Sequence, residues 1–154
     1  MSKDLLSNDY WMGFALSEAK KSLEKNEVPV GAVIVLNDEI IGKGHNMTIS
    51  TNDPSSHAEI EAIRHASKTI GNYRLNNTNL YVTLEPCCMC YGAIVHARIS
   101  RIVFGAYDPK TGVCGSSIKL HGKEFFNHTP DVKGGILEED CSLILKNFFK
   151  EKRN

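Results

Sequence analysis

Pro86-Cys87-Cys88-Met89-Cys90, taken together with His57-Ala58-Glu59 upstream, decides how this chain is to be read. Cys87 and Cys90 are three apart, so on a helix their side chains share a face in its first turn. Pro86 suits the first helical position, where its missing N–H would have had no partner anyway. The positive end of a helix favours thiolates, the form of cysteine that binds metal. Two sulfurs and one imidazole are the ligand set of a catalytic zinc ion whose fourth position stays open. Glu59 lies beside the imidazole but is surplus to that set, which frees it to handle protons. Cys88 is out of register with the pair and is expected to pack inward.

Each piece alone has a plainer reading. A Cys-x-x-Cys pair also occurs in redox and structural settings, the first wanting a thioredoxin-like context and the second a fourth protein ligand. His45, His65, His96, His121 and His128 offer no Cys/His pair at finger spacing. Ser56-x-x-Glu59 fits a capping box, in which the glutamate only reaches back to a backbone N–H. The ordered set His57, Glu59, Pro86, Cys87 and Cys90, each at the start of a helix after a loop or strand, favours chemistry over capping.

Composition bounds the answer without choosing it. At 154 residues, with 42% hydrophobic and 23% charged residues, the chain has the size and balance of one globular domain, expected over 1–154. Its longest apolar run, 28–36, is far too short to cross a bilayer, and Met1-Ser2-Lys3-Asp4 leads into no signal segment, so no membrane role is expected. Five cysteines, three of them within four positions, argue against a disulfide framework and for a reducing, cytoplasmic setting. Net charge is zero. Two clusters, Lys146/Lys150/Lys152/Arg153 and Lys119/His121/Lys123, could contact phosphates or could simply be solvated, the first complementing a helix end.

The periodicities predict alternating helices and strands. Residues 10–25 read as a helix with Trp11, Phe14, Ala15, Ala19 and Leu23 on its buried stripe. Residues 30–36 and 39–41 form a hairpin about Asn37-Asp38. A polar loop over 48–56 precedes a second helix starting at His57, with Ser56 as its N-cap, Ile60, Ile63, Ala66 and Ile70 inward and Gly71 as its stop. Strands are expected at 80–84, 99–105 and 132–136. The helix after Pro86 packs through Ala93, Ile94 and Ala97, and a last helix over 137–149 packs through Leu137, Cys141, Ile144, Leu145 and Phe148. Residues 107–130 read as irregular. This order implies an α/β sandwich with a partly parallel central sheet.

His-x-Glu followed by Pro-Cys-x-x-Cys is the pattern of the zinc nucleobase deaminases. More narrowly, the chain resembles the bacterial tRNA-specific adenosine deaminases over nearly its whole length. The resemblance is carried by Val28-Pro29-Val30-Gly31-Ala32-Val33, His57-Ala58-Glu59-Ile60, Asn72-Tyr73-Arg74-Leu75, Thr83-Leu84-Glu85-Pro86-Cys87, Phe104-Gly105-Ala106, Asp108-Pro109-Lys110-Thr111-Gly112 and Phe148-Phe149. It implies a three-layer α/β/α sandwich with a central mixed five-stranded sheet, of cytidine deaminase-like fold. It also implies one zinc ion per chain, hydrolytic conversion of a wobble adenosine in a tRNA anticodon loop to inosine, and a homodimer.

By the same resemblance Asn46 contacts the inserted nucleoside, Asp108 and Lys110 the nucleotide or nearby backbone, and Phe149 a flanking base. Plainer roles stay open: Asn46 as the end of a strand, Asp108 in a turn with Pro109, and Phe149 in the core. Other readings of the whole are a guanine or cytosine deaminase and a non-enzymatic zinc-bearing RNA-binding module. Tyr91, Cys114 and Thr48 depart from the residues usual in the family, which bears on packing and the pocket rim rather than on the metal.

Overall fold

The computed structural model describes residues 7–153; the reading of Met1-Ser2-Lys3-Asp4 lies outside them. Strands β1 (Gly31–Leu36) and β2 (Glu39–His45) form the expected antiparallel hairpin. Asn37 and Asp38 take φ of 51° and 59°, the two left-handed residues that a tight two-residue turn needs. β1 pairs antiparallel with β3 (Asn79–Leu84), which runs parallel to β4 (Arg101–Ala106), and β4 runs parallel to β5 (Asp131–Lys133). The sheet is therefore mixed and five-stranded, in the order β2-β1-β3-β4-β5.

Helices cover both faces. Alternation along the paired strands puts Gly31, Tyr81, Val103 and Gly105 on one face. There Gly31 lies against Ala15 and Ala19 of α1 (Asn8–Glu24), Tyr81 stacks near Trp11, and Gly105 meets Cys141 of α4 (Glu138–Arg153). Gly42 and Gly44 of β2 face the other way, onto α2 (Ala58–Ile70), with α3 (Cys88–Ala97) beside it. The result is the α/β/α sandwich expected.

Close approach corrects the predicted packing faces. A Cβ on Gly42 would sit 2.5 Å from the Ala62 carbonyl, and one on Gly44 2.3 Å from that of Ala58. With the helix this close to the strand, only small residues fit between them. The buried stripe of α2 is accordingly Ala58, Ala62 and Ala66, while Ile60 and Ile63 are half-buried and Ile70 is exposed. In α1, Trp11, Ala15 and Ala19 are buried as expected, but Phe14 and Leu23 are exposed and Met12, Glu18 and Ser22 take inward positions. In α3, Ile94 and Ala97 are buried with Tyr91 and Val95, and Ala93 is only half-buried. Cys141, Leu145 and Phe148 are buried in α4, with Leu137 and Ile144 half-buried.

Boundaries shift modestly. The strand expected at 99–105 runs over 101–106, that expected at 132–136 over 131–133, the second hairpin strand continues past 41 to His45, and the last helix continues past 149 to Arg153. Residues 107–130 hold no named strand or helix, only an isolated bridge between Cys114 and Lys119. No helix among the described residues is long and apolar enough to cross a membrane.

Gly44→Ala places a methyl group inside the α2 backbone. It is expected to lower stability by about 1–3 kcal/mol, read as an earlier denaturant midpoint. An unchanged midpoint would contradict the packing described for α2 on β2.

Candidate active site

The site lies at the carboxyl ends of the parallel strands, where open α/β sheets place their ligand crevices. β3 ends at Leu84 and leads through Glu85 and Pro86 into α3, and β4 ends at Ala106, just before Asp108. β2 ends at His45, next to Asn46, and the following loop returns to α2.

His57 and Cys87 are the N-caps of α2 and α3, both extended and neither making a side-chain capping bond. Pro86 thus precedes the cap instead of occupying the first helical position, because Cys87 takes the extended backbone of the cap itself. Ser56 does not cap α2 either; its hydroxyl donates to Glu61 Oε2 at 2.5 Å. That bond removes the capping-box reading of Glu59, since the glutamate engaged by Ser56 is Glu61.

The freed cap side chains converge. His57 Nδ1 stands 3.6 Å from Cys87 Sγ and 3.5 Å from Cys90 Sγ. One donor atom from each of the three lies within 4.8 Å of the others. Tetrahedral zinc bonds of about 2.3 Å to sulfur and 2.1 Å to nitrogen set those atoms about 3.6 Å apart. The geometry and the donor chemistry therefore fit zinc, with three protein ligands. Cys88, expected inward, is exposed. The core side of this turn is taken by Cys90 and Tyr91, and residue 88 falls on the outer side.

Protonation follows the geometry. Hydrogen bonds from the Cys90 thiol and from His57 outweigh burial and draw Cys87 down to about 4, so it is a thiolate at neutral pH. The Cys87 sulfur and burial push the Cys90 thiol up. The Cys87 hydrogen bond raises His57. Glu59, only 4% exposed, is pushed up to about 7, chiefly by burial. A carboxyl poised there can both take up and give back a proton near neutrality.

His57, Glu59 and Cys87 floor a pocket of about 290 Å³ whose walls include Val28, Val30, Asn46, Thr48, Leu84, Asp108 and Thr111. Asn46 is nearly buried, and its amide donates to the Val28 carbonyl at 3.3 Å. Its Oδ1 is buried without a partner, an acceptor kept in hand within a lined pocket. The pocket opens on an outer hollow of about 680 Å³ that shares Val28, Leu84, Asp108 and Thr111 and adds Tyr107, Lys110, Phe149, Lys152 and Arg153. Of the substrate residues expected, Asn46 and Asp108 reach the inner pocket, whereas Lys110 and Phe149 line the outer hollow. Asp108 also makes the turn that was its plainer reading, accepting from the Lys110 and Thr111 backbones at 3.1 and 3.2 Å. Phe149 is exposed, not core.

Two residues that sequence reasoning missed hold the walls. Glu27, fully buried, accepts from Ile49 N at 3.0 Å, Ser50 N at 2.8 Å, Ser50 Oγ at 2.6 Å and Thr48 Oγ1 at 3.5 Å. Burial pushes its carboxyl up, but the bonds from Ser50, Ile49 and Thr48 prevail and hold it below its ordinary 4.5. Glu85 plays the same part opposite, toward residues 108–116. The one available signal was an isolated acid flanking an apolar strand run, at Glu27-Val28-Pro29 and at Leu84-Glu85-Pro86. Of the departures from family usage, Thr48 lines the pocket, Cys114 is buried, and Tyr91 packs edge-on against Phe126 with its hydroxyl unpartnered.

Cys88→Ala is expected to leave zinc at one ion per chain by metal analysis, because Cys88 faces away from the ligand cluster. Loss of the metal in that variant would overturn the assignment of Cys87 and Cys90 as the ligating pair.

Comparison with known proteins agrees with this geometry. Residues 6–106 match the family model described as the cytidine and deoxycytidylate deaminase zinc-binding region. The tRNA-specific adenosine deaminase of Bacillus subtilis (strain 168) is 46% identical over 149 residues, covering 97% of this chain and 92% of the relative. That of Haemophilus influenzae is 51% identical over 143 residues, covering 92% and 83%. A solved structure from work on A-to-I editing by tRNA:A34 deaminases at the wobble position superposes with a TM-score of 0.85 at 44% identity, covering 88% of this chain and 99% of its own. Since the likeness runs through the metal-binding loops and nearly to both ends, the chain belongs to the tRNA-specific adenosine deaminases, within the wider family of zinc-binding cytidine and deoxycytidylate deaminases.

Proposed function

We propose that this protein hydrolyses the wobble adenosine of a tRNA anticodon loop to inosine, releasing ammonia, as one zinc-dependent deaminase domain spanning 1–154. The observation that carries this reading is a buried carboxyl, Glu59, beside a three-ligand metal cluster on the floor of a base-sized pocket. In this reading His57, Cys87 and Cys90 hold one zinc ion per chain, which when bound supplies a Lewis acid that makes water acidic enough to react near neutral pH.

The protein's own groups do the rest. Glu59 takes a proton from the attacking water and passes it to N1 of adenine as oxygen adds at C6. It then takes the remaining proton from that oxygen and gives it to the departing nitrogen as the C6–N bond breaks, so that adenine and water leave as hypoxanthine and ammonia. One carboxyl serves twice because it sits where both protonation states are populated. Asn46 offers its free Oδ1 to the nucleoside, and Asp108 borders both the inner pocket and the hollow outside it.

The outer hollow suits the rest of a polynucleotide. Lys110, Lys152 and Arg153 present cations to phosphates, and Phe149 presents a ring face to a neighbouring base. Unpaired anticodon bases cost little to splay out, which matches a small inner pocket beside a larger hollow lined by Lys110, Lys152 and Arg153. A tRNA substrate would be met in the cytoplasm. The functional unit in this reading is a homodimer, in keeping with large apolar residues left exposed at Ile49, Tyr73, Met89 and Phe125.

The direct test is ammonia release from an anticodon stem-loop RNA set beside free adenosine, guanine and cytosine. Turnover is expected on the RNA; turnover confined to a free base would favour a base deaminase, and none at all an RNA-binding module. Glu59→Gln is expected to retain zinc yet lose at least about a hundredfold in kcat, and appreciable turnover would reject the proton shuttle. Equilibrium ultracentrifugation should return twice the chain mass; a monomer at working concentration would reject the dimer.

A further inference from the structure

We infer that Glu85 is a positioning residue for substrate binding: its buried carboxylate hangs the 108–116 loop, and with it the outer wall of the pocket, on the end of β3. This rests on the function proposed above and assigns a role to a residue that neither ligates metal nor handles the proton.

Glu85 is 2% exposed, and among the described residues no lysine or arginine forms an ion pair with it, although His121 lies near enough to feel its charge. Its charge is instead met by four donors from one loop. Oε1 accepts from Asp108 N at 3.0 Å and from the Ser116 hydroxyl, and Oε2 accepts from Cys114 N at 2.9 Å and Ser116 N at 3.1 Å. The loop doubles back so that both ends of it meet the same carboxylate. The backbone beside it is tied in the same way, Glu85 N donating to the Ala106 carbonyl and Val113 N to that of Pro86.

The space is fitted as closely as the bonds. A Cβ on Gly112 would lie 2.4 Å from Glu85 Cδ and 2.6 Å from the Asp108 carbonyl, so the loop can close on the carboxylate only with glycine there. Asp108 and Thr111, which border the inner pocket, stand within this clamped segment. Glu85 itself borders the pocket, yet its two oxygens are occupied by loop donors, leaving it unsuited to contact substrate or shuttle protons. His57, Cys87 and Glu59 stand at the starts of α2 and α3 with Cys90 within α3, and the loop joins that backbone through Val113 N on the Pro86 carbonyl, not through the Glu85 carboxylate. A fault in the clamp should therefore displace the wall while leaving the reacting groups in place.

The test compares zinc-loaded wild type with Glu85→Gln, Gly112→Ala and Ser116→Ala on the anticodon stem-loop. Glu85→Gln replaces an acceptor with an amide facing donors; Gly112→Ala leaves the acceptor intact but denies it the space. Both are expected to raise KM about tenfold or more, with kcat per bound zinc changed less, on the scale of groups that orient others. Ser116→Ala removes one of the four contacts and should raise KM less. Because the first two act through one contact, their double variant should be little worse than either alone.

A merely structural role would lower the folded or zinc-loaded fraction and leave KM as in wild type, and that result would overturn the inference. Should Glu85→Gln fail to fold or to hold zinc, the same KM comparison with Gly112→Ala and Ser116→Ala decides it. Absence of turnover by wild type would refute the proposed function instead, so the two failures are distinct.

Discussion

Two helix N-termini brought together at the floor of a pocket are the constraint on which the rest of the structure depends. His57 and Cys87 both stand at N-caps, where a serine or aspartate would ordinarily bond the first turn and add about 1 kcal/mol. Neither does so. Their side chains are turned toward each other, and the helix ends contribute a positive field in which a thiolate is the favoured form. The low value of Cys87 follows from the same crowding, with the Cys90 thiol and His57 both donating to its sulfur. Capping stability is thus given up at two places to concentrate ligands at one.

That convergence is only as good as the packing behind it. α2 can carry His57 to Cys87 because Gly42 and Gly44 let its backbone settle onto β2 with nothing larger than alanine between them. α3 begins where β3 ends, so Cys87 and Cys90 are placed by the central strands. Above this rigid floor the walls are loops, and loops have no ladder of backbone bonds to fix them. Glu27 and Glu85 supply the missing order, each ringed by donors from a single segment. A buried carboxylate met by several hydrogen bonds is stable where an unpaired one would be expelled.

This division explains what the chain reveals of itself before folding. The ligands and Glu59 are legible because their chemistry is local: one helix turn fixes the spacing of Cys87 and Cys90, and one more places Glu59 beside His57. Strands β1, β3 and β4 are legible because they are buried on both faces and so read as short apolar runs. On the α2 face Ala66 is legible but Ala58 and Ala62 are not, because isoleucine carries a stronger periodic signal than alanine, yet the glycines of β2 leave room for alanine alone. Cys88 was misjudged because the turn's inner positions belong to Cys90 and Tyr91. Glu85 and Glu27 were missed because their partners lie more than twenty positions away, at spacings only the folded loops define.

A metal cluster with a buried carboxyl beside it suits hydrolysis of a nucleobase amine; it says little about which one, since the same floor would serve any ring presented to it. Choice of substrate has to come from the walls, and there the chain differs in kind from its floor. The inner pocket offers one unpaired acceptor, Asn46 Oδ1, among largely apolar neighbours, a setting in which a single unmatched hydrogen bond discriminates strongly. The outer hollow offers cations and a ring, which attract polynucleotide without reading its sequence. Asp108 and Thr111 border both spaces, so the loop hung on Glu85 is where recognition of the base and recognition of the strand must be kept in register.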